Sequence, residues 1–455
     1  MKKLAILCTV LMLTAMCAPA LAAESSTADS GQVWGINIGG TGGPGGQPNN
    51  VEATGAEVVG GWNNHATSDT SKLVLAYNQG NNGNEVIALG AQVVGGSNSN
   101  ASVTGNVSAM NGANSISVTS WNPYAGTPDK VPGYTGNINN TVTATGAKVE
   151  NYGFFAGNNN ASTNGSVSAV NLGNGSLAWS IFGVSSAASS NDVSATGSLV
   201  QGFGSQNTAQ MNGNVSAYND GNYGNSVSSQ GAVAIGGTNT HATQTGNVWA
   251  DNTGDAAFIP GIVSPDVVVA NTGNTVSATG AKVESYGLFS SGNVASTTGI
   301  VGAQNSGNVG NSVTATGSHV FTFGSNDTAI ARDVYAGNTG FSGNTVSATG
   351  AEVVAGFGGS NHAFANSWVN AINTGSSGND VTATGAQIYT FGSGNTATAN
   401  GYVFASNSGN GGNTVSALGA SVIGGSNNHA TSVNTVAVNT GNGGNTVRAT
   451  GAIVH

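Results

Sequence analysis

Cysteine is almost absent from this chain, and charged and aromatic residues are scarce. The 455 residues include two cysteines, Cys8 and Cys17, and both lie near the amino terminus. Beyond residue 17, disulfides and thiolate metal sites are therefore excluded. Charged residues make up 6% of the chain and aromatic residues another 6%. Composition of this kind, taken alone, is typical of disorder, because few large apolar side chains are available to build a core.

The amino terminus has the form of a secretory signal peptide over residues 1–22. Lys2 and Lys3 precede an apolar run at 4–16, and Ala20-Leu21-Ala22 is a small-residue cleavage site. A lipoprotein anchored through Cys17 is disfavoured, because methionine is a poor residue just before a lipidated cysteine. No second apolar run of about 20 residues is present, so we expect no membrane span after the leader. The predicted localisation is secreted, extracellular or at the cell surface.

Basic residues are also few. Loss of the leader would remove two lysines and leave six Lys and Arg against 18 Asp and Glu. An acidic surface with so little arginine repels a phosphate backbone. We therefore expect no nucleic-acid partner.

Glycine, by contrast, is abundant, with 73 residues, many of them within a repeated phrase. The phrase G-N-[TSDE]-V-[ST]-A-T-G-A occurs, with variations, eleven times, for example at Gly343–Ala351 and Gly444–Ala452. Its second glycine, here called the marker glycine, recurs most often at intervals of about 33 to 37 residues, a period typical of solenoids and propellers. The chain is thus a stack of one small unit.

Within each phrase, invariant valine and frequent alanine alternate with variable polar residues. This period-2 pattern predicts strands with one buried face, joined by a turn at T-G where glycine takes a positive φ. The residues predicted to form the core of the repeat are Val346, Ala348, Gly350, Val381, Ala383, Gly385, Val415, Ala417, Gly419, Val447, Ala449 and Gly451.

A looser copy of the pattern lies between successive phrases, and each copy opens on an asparagine. The true unit is then predicted to be a coil of about 14 to 20 residues with two strands, and the fold an all-β parallel β-solenoid of about 22 coils, about 100 Å long. Stacked corner asparagines would form an amide ladder. The predicted corner ladder contains Asn344, Asn361, Asn379, Asn395, Asn413, Asn428 and Asn445.

The phrases also define the predicted domains. Residues 23–49 are a glycine-rich lead-in and residues 50–455 the solenoid, with insertions near 121–134, 177–188 and 256–266 where the phrase interval lengthens. Prolines fall in the first and third insertions and in no repeat strand, where a missing N–H would break the ladder. We expect the loops near Trp121 and Ile262 to contact other molecules.

No catalytic, cofactor or metal site is predicted, and we do not expect an enzyme. Four histidines share one position of the repeat: His65, His241, His362 and His429. The repeats that carry them lie far apart, so we interpret the position as an outward-facing one that tolerates histidine, and not as a metal site. A polysaccharide-degrading β-helix would need clustered carboxylates, and the acidic residues are scattered.

Two other side-chain patterns leave alternatives open. Pairs of the form T-x-T are similar to the ladders of ice-binding solenoids, but we expect the intervening coils to interrupt them, so ordinary strand threonine is preferred. Aromatic residues after the second strand, such as Tyr286, Phe321 and Phe323, are interpreted as caps of the narrow core, and a glycan-stacking stripe is the alternative.

The string N-T-G-N-G-G-N-T-V-R-A-T-G at Asn439–Gly451 resembles the repeats of curlins, the secreted subunits of bacterial amyloid fibres. Asn439 stands where curlin repeats have glutamine. The resemblance implies a self-associating extracellular structural protein, a functional amyloid of the biofilm-matrix kind, in which the repeat itself carries function.

A regular final repeat leads to the same expectation, since an uncapped coil edge is a template for strands of another chain. We therefore predict a secreted structural or adhesive protein that stacks edge to edge into fibres or matrix. Its partners would be copies of itself and cell-surface or matrix components. The alternatives are a non-polymerising rod that binds a glycan or ice, and a polysaccharide-degrading β-helix.

Overall fold

The computed structural model describes most of the chain after residue 25. The described residues are 26–38, 49–60, 63–68, 73–79, 83–112, 118–121, 128–131, 139–151, 157–172, 177–180, 183–186, 190–220, 224–253, 257–259, 267–269, 273–286, 290–307, 309–340, 342–356, 358–375 and 377–455. The predicted signal peptide lies outside them.

The eleven phrases form one sheet of eleven parallel strands, here called the long sheet. Each phrase strand pairs with the next one along the chain, and like residues meet, as in Val346 opposite Val381. The strands are Asn50–Val59, Glu85–Gly95, Thr141–Asn151, Asp192–Gln201, Ser226–Gly236, Thr275–Ser285, Ser312–Thr322, Thr345–Ala355, Asp380–Tyr389, Thr414–Ile423 and Thr446–Val454.

The segments between phrases form a second parallel sheet, here called the split sheet, which in most coils contributes two short strands. The first strands of each pair are Thr27–Ser30, His65–Ser68, Asn100–Val103, Asn160–Thr163, Thr208–Met211, His241–Gln244, Val294–Thr297, Thr328–Ala331 and His362–Ala365. The second strands are Val33–Ile38, Val74–Gln79, Val107–Gly112, Val167–Leu172, Val215–Asp220, Val248–Thr253, Ile300–Ser306, Asp333–Thr339 and Val369–Thr374. In the last two coils the pair merges into Thr396–Asn407 and His429–Asn439.

The fold is a parallel β-solenoid, as the sequence predicts, but the predicted coil of 14 to 20 residues is wrong. Ladder neighbours lie a full repeat apart, for example Asn344 and Asn379, which are 35 residues apart in sequence. The looser segment belongs to the opposite sheet of the same coil. The described residues therefore form eleven coils, nine of three strands and the last two of two, in place of about 22 coils of two. The coils are numbered 1 to 11 from the amino terminus. At about 4.8 Å a coil the rod is about 50 Å long.

The predicted turn at T-G is also absent from the described strands. Thr349 and Gly350 lie inside the single strand Thr345–Ala355. Gly350 and Ala351 both face inward, so the strand bends there without reversing. A Cβ on Gly350 would overlap the backbone carbonyl of Gly385 in the next coil. Glycine is needed at this position because the coils approach closely, and not because φ is positive.

Positive φ occurs at the corners instead. Gly343 (φ 64°) and Gly378 (φ 63°) each stand just before a ladder asparagine, and Asn326 (φ 59°) and Asn427 (φ 52°) occupy the same place at the other corner. Glycine and asparagine are the residues that enter the left-handed region at least cost. The G-N and N-N pairs of the sequence are therefore corner signals.

The interior is narrow and filled by valine and alanine from both sheets. Val346, Ala348, Val369 and Ala371 of one repeat are fully buried, and equivalent residues repeat from coil to coil as a continuous core. Small side chains suit two sheets held close together. The core runs along the rod axis and reaches its carboxyl-terminal end.

The structure moves the start of the solenoid into the predicted lead-in and gives the strands at the predicted insertions. Thr27–Ser30 and Val33–Ile38 pair in register with the split sheet of coil 2, so coil 1 begins inside the predicted lead-in 23–49. Antiparallel hairpins stand within or beside the three predicted insertions, each after the second short strand of its coil. They pair Val118–Trp121 with Pro128–Val131, Leu177–Ser180 with Gly183–Ser186, and Ala257–Ile259 with Val267–Val269.

Candidate functional site

The carboxyl-terminal end of the rod exposes what every other coil buries. Val415 of coil 10 is fully buried, whereas its ladder neighbour Val447 in coil 11 is 47% exposed. Val454, which pairs with the buried Val422 of coil 10, is 49% exposed, and Ala449 and Ala452 are exposed as well. No described coil stacks on this end, so the interior valines and alanines of coil 11 form an open apolar face.

The predicted repeat-core residues divide along this line. Val346, Ala348, Val381, Ala383, Val415 and Ala417 are buried, while Val447 and Ala449 belong to the open face. Added side chains at Gly350, Gly385 and Gly419 would overlap the marker glycine of the next coil. At Gly451 an added Cβ would meet nothing within 4 Å. The open face thus carries an empty place where a further glycine-containing coil would fit.

The predicted corner asparagines fall into two ladders, not one. Asn344, Asn379, Asn413 and Asn445 precede long strands, and Nδ2 of each donates to Oδ1 of the next at 3.1 Å. The other three predicted residues precede the split sheet: Nδ2 of Asn361 donates to Asn395 at 3.0 Å, and Nδ2 of Asn395 donates to Asn428 at 2.9 Å. Corners at opposite ends of a long strand cannot share one ladder.

A third ladder, which the sequence reasoning missed, is complete through all eleven coils. It lies at the end of the second short strand, where Asn305 donates to Asn338, Asn338 to Asn373, and Asn373 to Asn407, at 2.8–3.0 Å. Its signal in the sequence is V-x-A-x-N, in which asparagine takes an inward position of the strand pattern. The members are Asn37, Asn78, Asn111, Asn171, Asn219, Asn252, Asn305, Asn338, Asn373, Asn407 and Asn439.

The amino-terminal end differs from the carboxyl-terminal one. In coil 1 the inward residues Val51 and Ala53 are buried beside coil 2, although no described coil precedes them. The exposed groups are on the outer surface, where Trp34 is 59% exposed and Ile36 and Glu52 are also exposed. The two ends of the rod are therefore chemically distinct surfaces.

The outer face of the long sheet carries a column of hydroxyl side chains, here called the hydroxyl column. Its residues stack directly on one another in eight consecutive coils: Thr143, Ser194, Ser228, Ser277, Thr314, Ser347, Thr382 and Ser416. A second column two residues along the strand is mostly threonine, including Thr279, Thr316 and Thr349. The expected interruption by intervening coils is wrong, because those segments lie on the split sheet.

Charged groups gather on the long sheet at coils 6 to 8. Lys282 pairs with Glu284 at 2.6 Å, and His319 Nε2 lies 3.6 Å from Glu352 Oε2. Burial lowers the pKa of His319, and the positive charge of Lys282 adds to this. Burial also raises the pKa of Glu352, so both members of that pair favour their neutral forms.

Aromatic rings beside this cluster are exposed, and the prediction that Tyr286 and Phe323 cap the core is wrong. The Tyr286 hydroxyl donates to Glu284 at 2.5 Å, and the carboxylate raises the pKa of the tyrosine to about 12. Phe321 stands 6.1 Å from Tyr286 and 5.5 Å from Phe323, measured between ring centroids. These residues point outward because valine and alanine already fill the narrow interior.

The histidines of the shared slot lie in one column of the split sheet. Thr396 separates His362 in coil 9 from His429 in coil 11. Among the described residues no three His, Cys, Asp or Glu side chains come together as a metal site would require. No helix in the described part of the chain has the length and apolar character needed to cross a membrane.

Comparison of the chain with family models, with curated proteins and with solved structures finds no match. Function must therefore be inferred from the geometry of the rod and of its two ends.

Proposed function

We propose that this protein is a secreted structural or adhesive component outside the cell, which associates with further copies of itself by adding strands coil on coil. The observation that carries this proposal is the open face of coil 11. Val447 and Val454 are exposed there although Val415 and Val422, which pair with them in coil 10, are buried, and Gly451 faces empty space.

Burial of apolar surface supplies the driving force. Covering a valine side chain stabilises an assembly by roughly 1.5–3 kcal/mol, and a parallel strand ladder adds backbone hydrogen bonds at the same time. An exposed regular edge with little charge is the feature that soluble solenoids avoid. The resemblance of the repeat to curlins supports the same function.

The first test is assembly of the purified protein. We expect unbranched filaments in negative-stain micrographs, with a meridional spacing near 4.8 Å in fibre diffraction. Discrete rods of about 50 Å that do not elongate at any concentration would overturn the proposal.

A glycine substitution makes the test specific to coil stacking. Gly451→Ala meets nothing inside the molecule, but its Cβ would overlap the marker glycine of an added coil. We expect unchanged thermal stability and a critical concentration raised roughly tenfold or more, as for an overpacked contact. Gly112→Ala is the matched control, because its Cβ makes only an ordinary contact of 3.5 Å with Tyr77.

A second candidate function rests on the hydroxyl column. Its hydroxyls and those of the neighbouring threonine column form an array spaced about 4.8 Å along the rod and about 7 Å along the strand. We propose as the alternative that this face orders water and binds ice as a non-polymerising rod. Inhibition of ice recrystallisation by the wild type, lost in Thr349→Lys, would favour this alternative. A wild type that does not inhibit ice recrystallisation would exclude the ice-binding alternative.

A further inference from the structure

The strand position that holds the hydroxyl column carries other side chains near the two ends of the rod. Over the eleven coils this position forms one column, in which Ile87 of coil 2 is followed by the eight residues of the hydroxyl column. In coil 1 the same position is Glu52, and in coil 11 it is Arg448. These are the only charged residues among the eleven members, and they have opposite signs.

Both charges are available for a partner. Glu52 and Arg448 are exposed, and neither forms an ion pair with any other described residue. If copies stacked like end on like end, these positions would bring two arginines or two glutamates together. Only a head-to-tail junction places unlike charges in one column.

The asparagine ladders have the same polarity. Each amide donates Nδ2 toward the carboxyl-terminal neighbour, from Asn37 to Asn78 at 2.9 Å at one end and from Asn407 to Asn439 at 3.0 Å at the other. Coil 1 therefore presents the acceptor Oδ1 of Asn37 to a preceding coil. Coil 11 presents Nδ2 of Asn439, whose contact with the carbonyl of Gly409 is long at 3.5 Å. Donor meets acceptor only when tail joins head.

Apolar side chains on the split sheet match in the same register. The column that holds Trp34 in coil 1 holds Val436 in coil 11, and the column of Ile36 holds Val438. Trp34, Ile36 and Val436 are exposed in the single rod. A tail-to-head junction would cover them together with the open face.

From these three columns we infer that copies of this protein join head to tail, with Arg448 of one copy against Glu52 of the next, and that this pair sets the register of the junction. The inference rests on the proposed self-association and adds its geometry. The contact is heterologous and does not close on itself, so it generates an open filament with one polarity. Because the ladder continues unbroken, each copy adds its eleven described coils to the filament.

Charge reversal tests the pairing without touching the core. At low ionic strength we expect Arg448→Glu and Glu52→Arg each to raise the critical concentration about tenfold, because attraction at every junction becomes repulsion. The difference should shrink in high salt. The single variants, mixed in equal amounts, should assemble like the wild type, since each tail then finds a head of opposite charge.

The mixing experiment distinguishes loss of the charge pair from misfolding of the variants, because a misfolded variant would not assemble when the other variant is added. Suppose that the wild type forms filaments. If the single variants then assemble as well as the wild type, or if their mixture assembles no better than each variant alone, the Arg448–Glu52 pairing is overturned and self-association stands. A wild type that never elongates would overturn both proposals.

Discussion

At the scale of single residues, Asp327 is the most informative exception in the rod. It occupies an asparagine place in the corner ladder before the split sheet, where its Oδ1 accepts from Nδ2 of Asn293 at 2.8 Å. Its Oδ2 is buried with no hydrogen-bond partner. In an asparagine that second atom would be the amide donor to the next coil. A protonated carboxyl restores such a donor, and burial raises the pKa of Asp327 to about 6.

This raised pKa makes stability depend on pH. Between the ordinary aspartate pKa near 4 and about 6, the folded state keeps a proton that the unfolded chain has lost, so stability falls as pH rises through this window. The loss is about 3 kcal/mol at most. Asp327→Asn should therefore raise the free energy of unfolding at pH 7 and change it little at pH 4.

Urea unfolding at pH 4, 5, 6 and 7 measures this prediction. Burial also raises the pKa of Asp251 to about 6, so the variant should keep part of the wild-type pH slope. Equal stability of the two proteins at pH 7 would contradict the ladder account of Asp327.

The marker glycines give a second prediction at the residue scale. Gly350→Ala places a Cβ against the carbonyl of Gly385, whereas Gly451→Ala meets open space. We expect the first to lower the free energy of unfolding by about 1–3 kcal/mol, the usual cost of overpacking, and the second to leave it unchanged. Thermal denaturation at a concentration too low for assembly compares them. A stable Gly350→Ala would show that the coils can move apart there.

At the scale of the element, the complete asparagine ladder predicts a cost for interruption. Asn305→Ala leaves the donor of Asn252 and the acceptor of Asn338 without their partner in a buried column. The expected loss of stability is about 1–3 kcal/mol. Asn370→Ala is the matched control, because Asn370 is an outward residue of the second strand two coils further along. If both variants lose similar stability, the loss comes from the strand propensity of the new residue and not from the broken ladder.

At the scale of the whole molecule, the coil count sets the length of the rod. Eleven coils predict a single particle of about 50 Å, half the length expected from coils of 14 to 20 residues. Small-angle scattering from dilute protein measures this length directly. A length near 100 Å for a monomer would contradict the described pairing. Filaments should lengthen in whole copies of eleven coils.

The strands and the solenoid class were predictable from sequence, and so were the inward valines and alanines such as Val346 and Ala348. The histidines and aromatic residues were harder to place, because outward positions tolerate many side chains. The ladder at Asn338 was not predicted, since its asparagine lies within a strand and not at a glycine corner. The two ends of the rod were only partly predictable from sequence. The regular last repeat could be recognised, but the alignment of Arg448 with Glu52 in one column required the strand register.

The sequence by itself determined what depends on near neighbours along the chain. Alternation of Val-x-Ala specifies a strand with one buried face, and the Gly-Asn pairs specify the corners, because both result from local backbone and side-chain preferences. Only the tertiary structure decided which strand lies on which. Asn344 could stack on Asn361 or on Asn379, which have similar local sequences, and only the paired register selects the partner 35 residues away. That choice sets the length of the coil, the continuity of the hydroxyl column and the chemistry of the two ends.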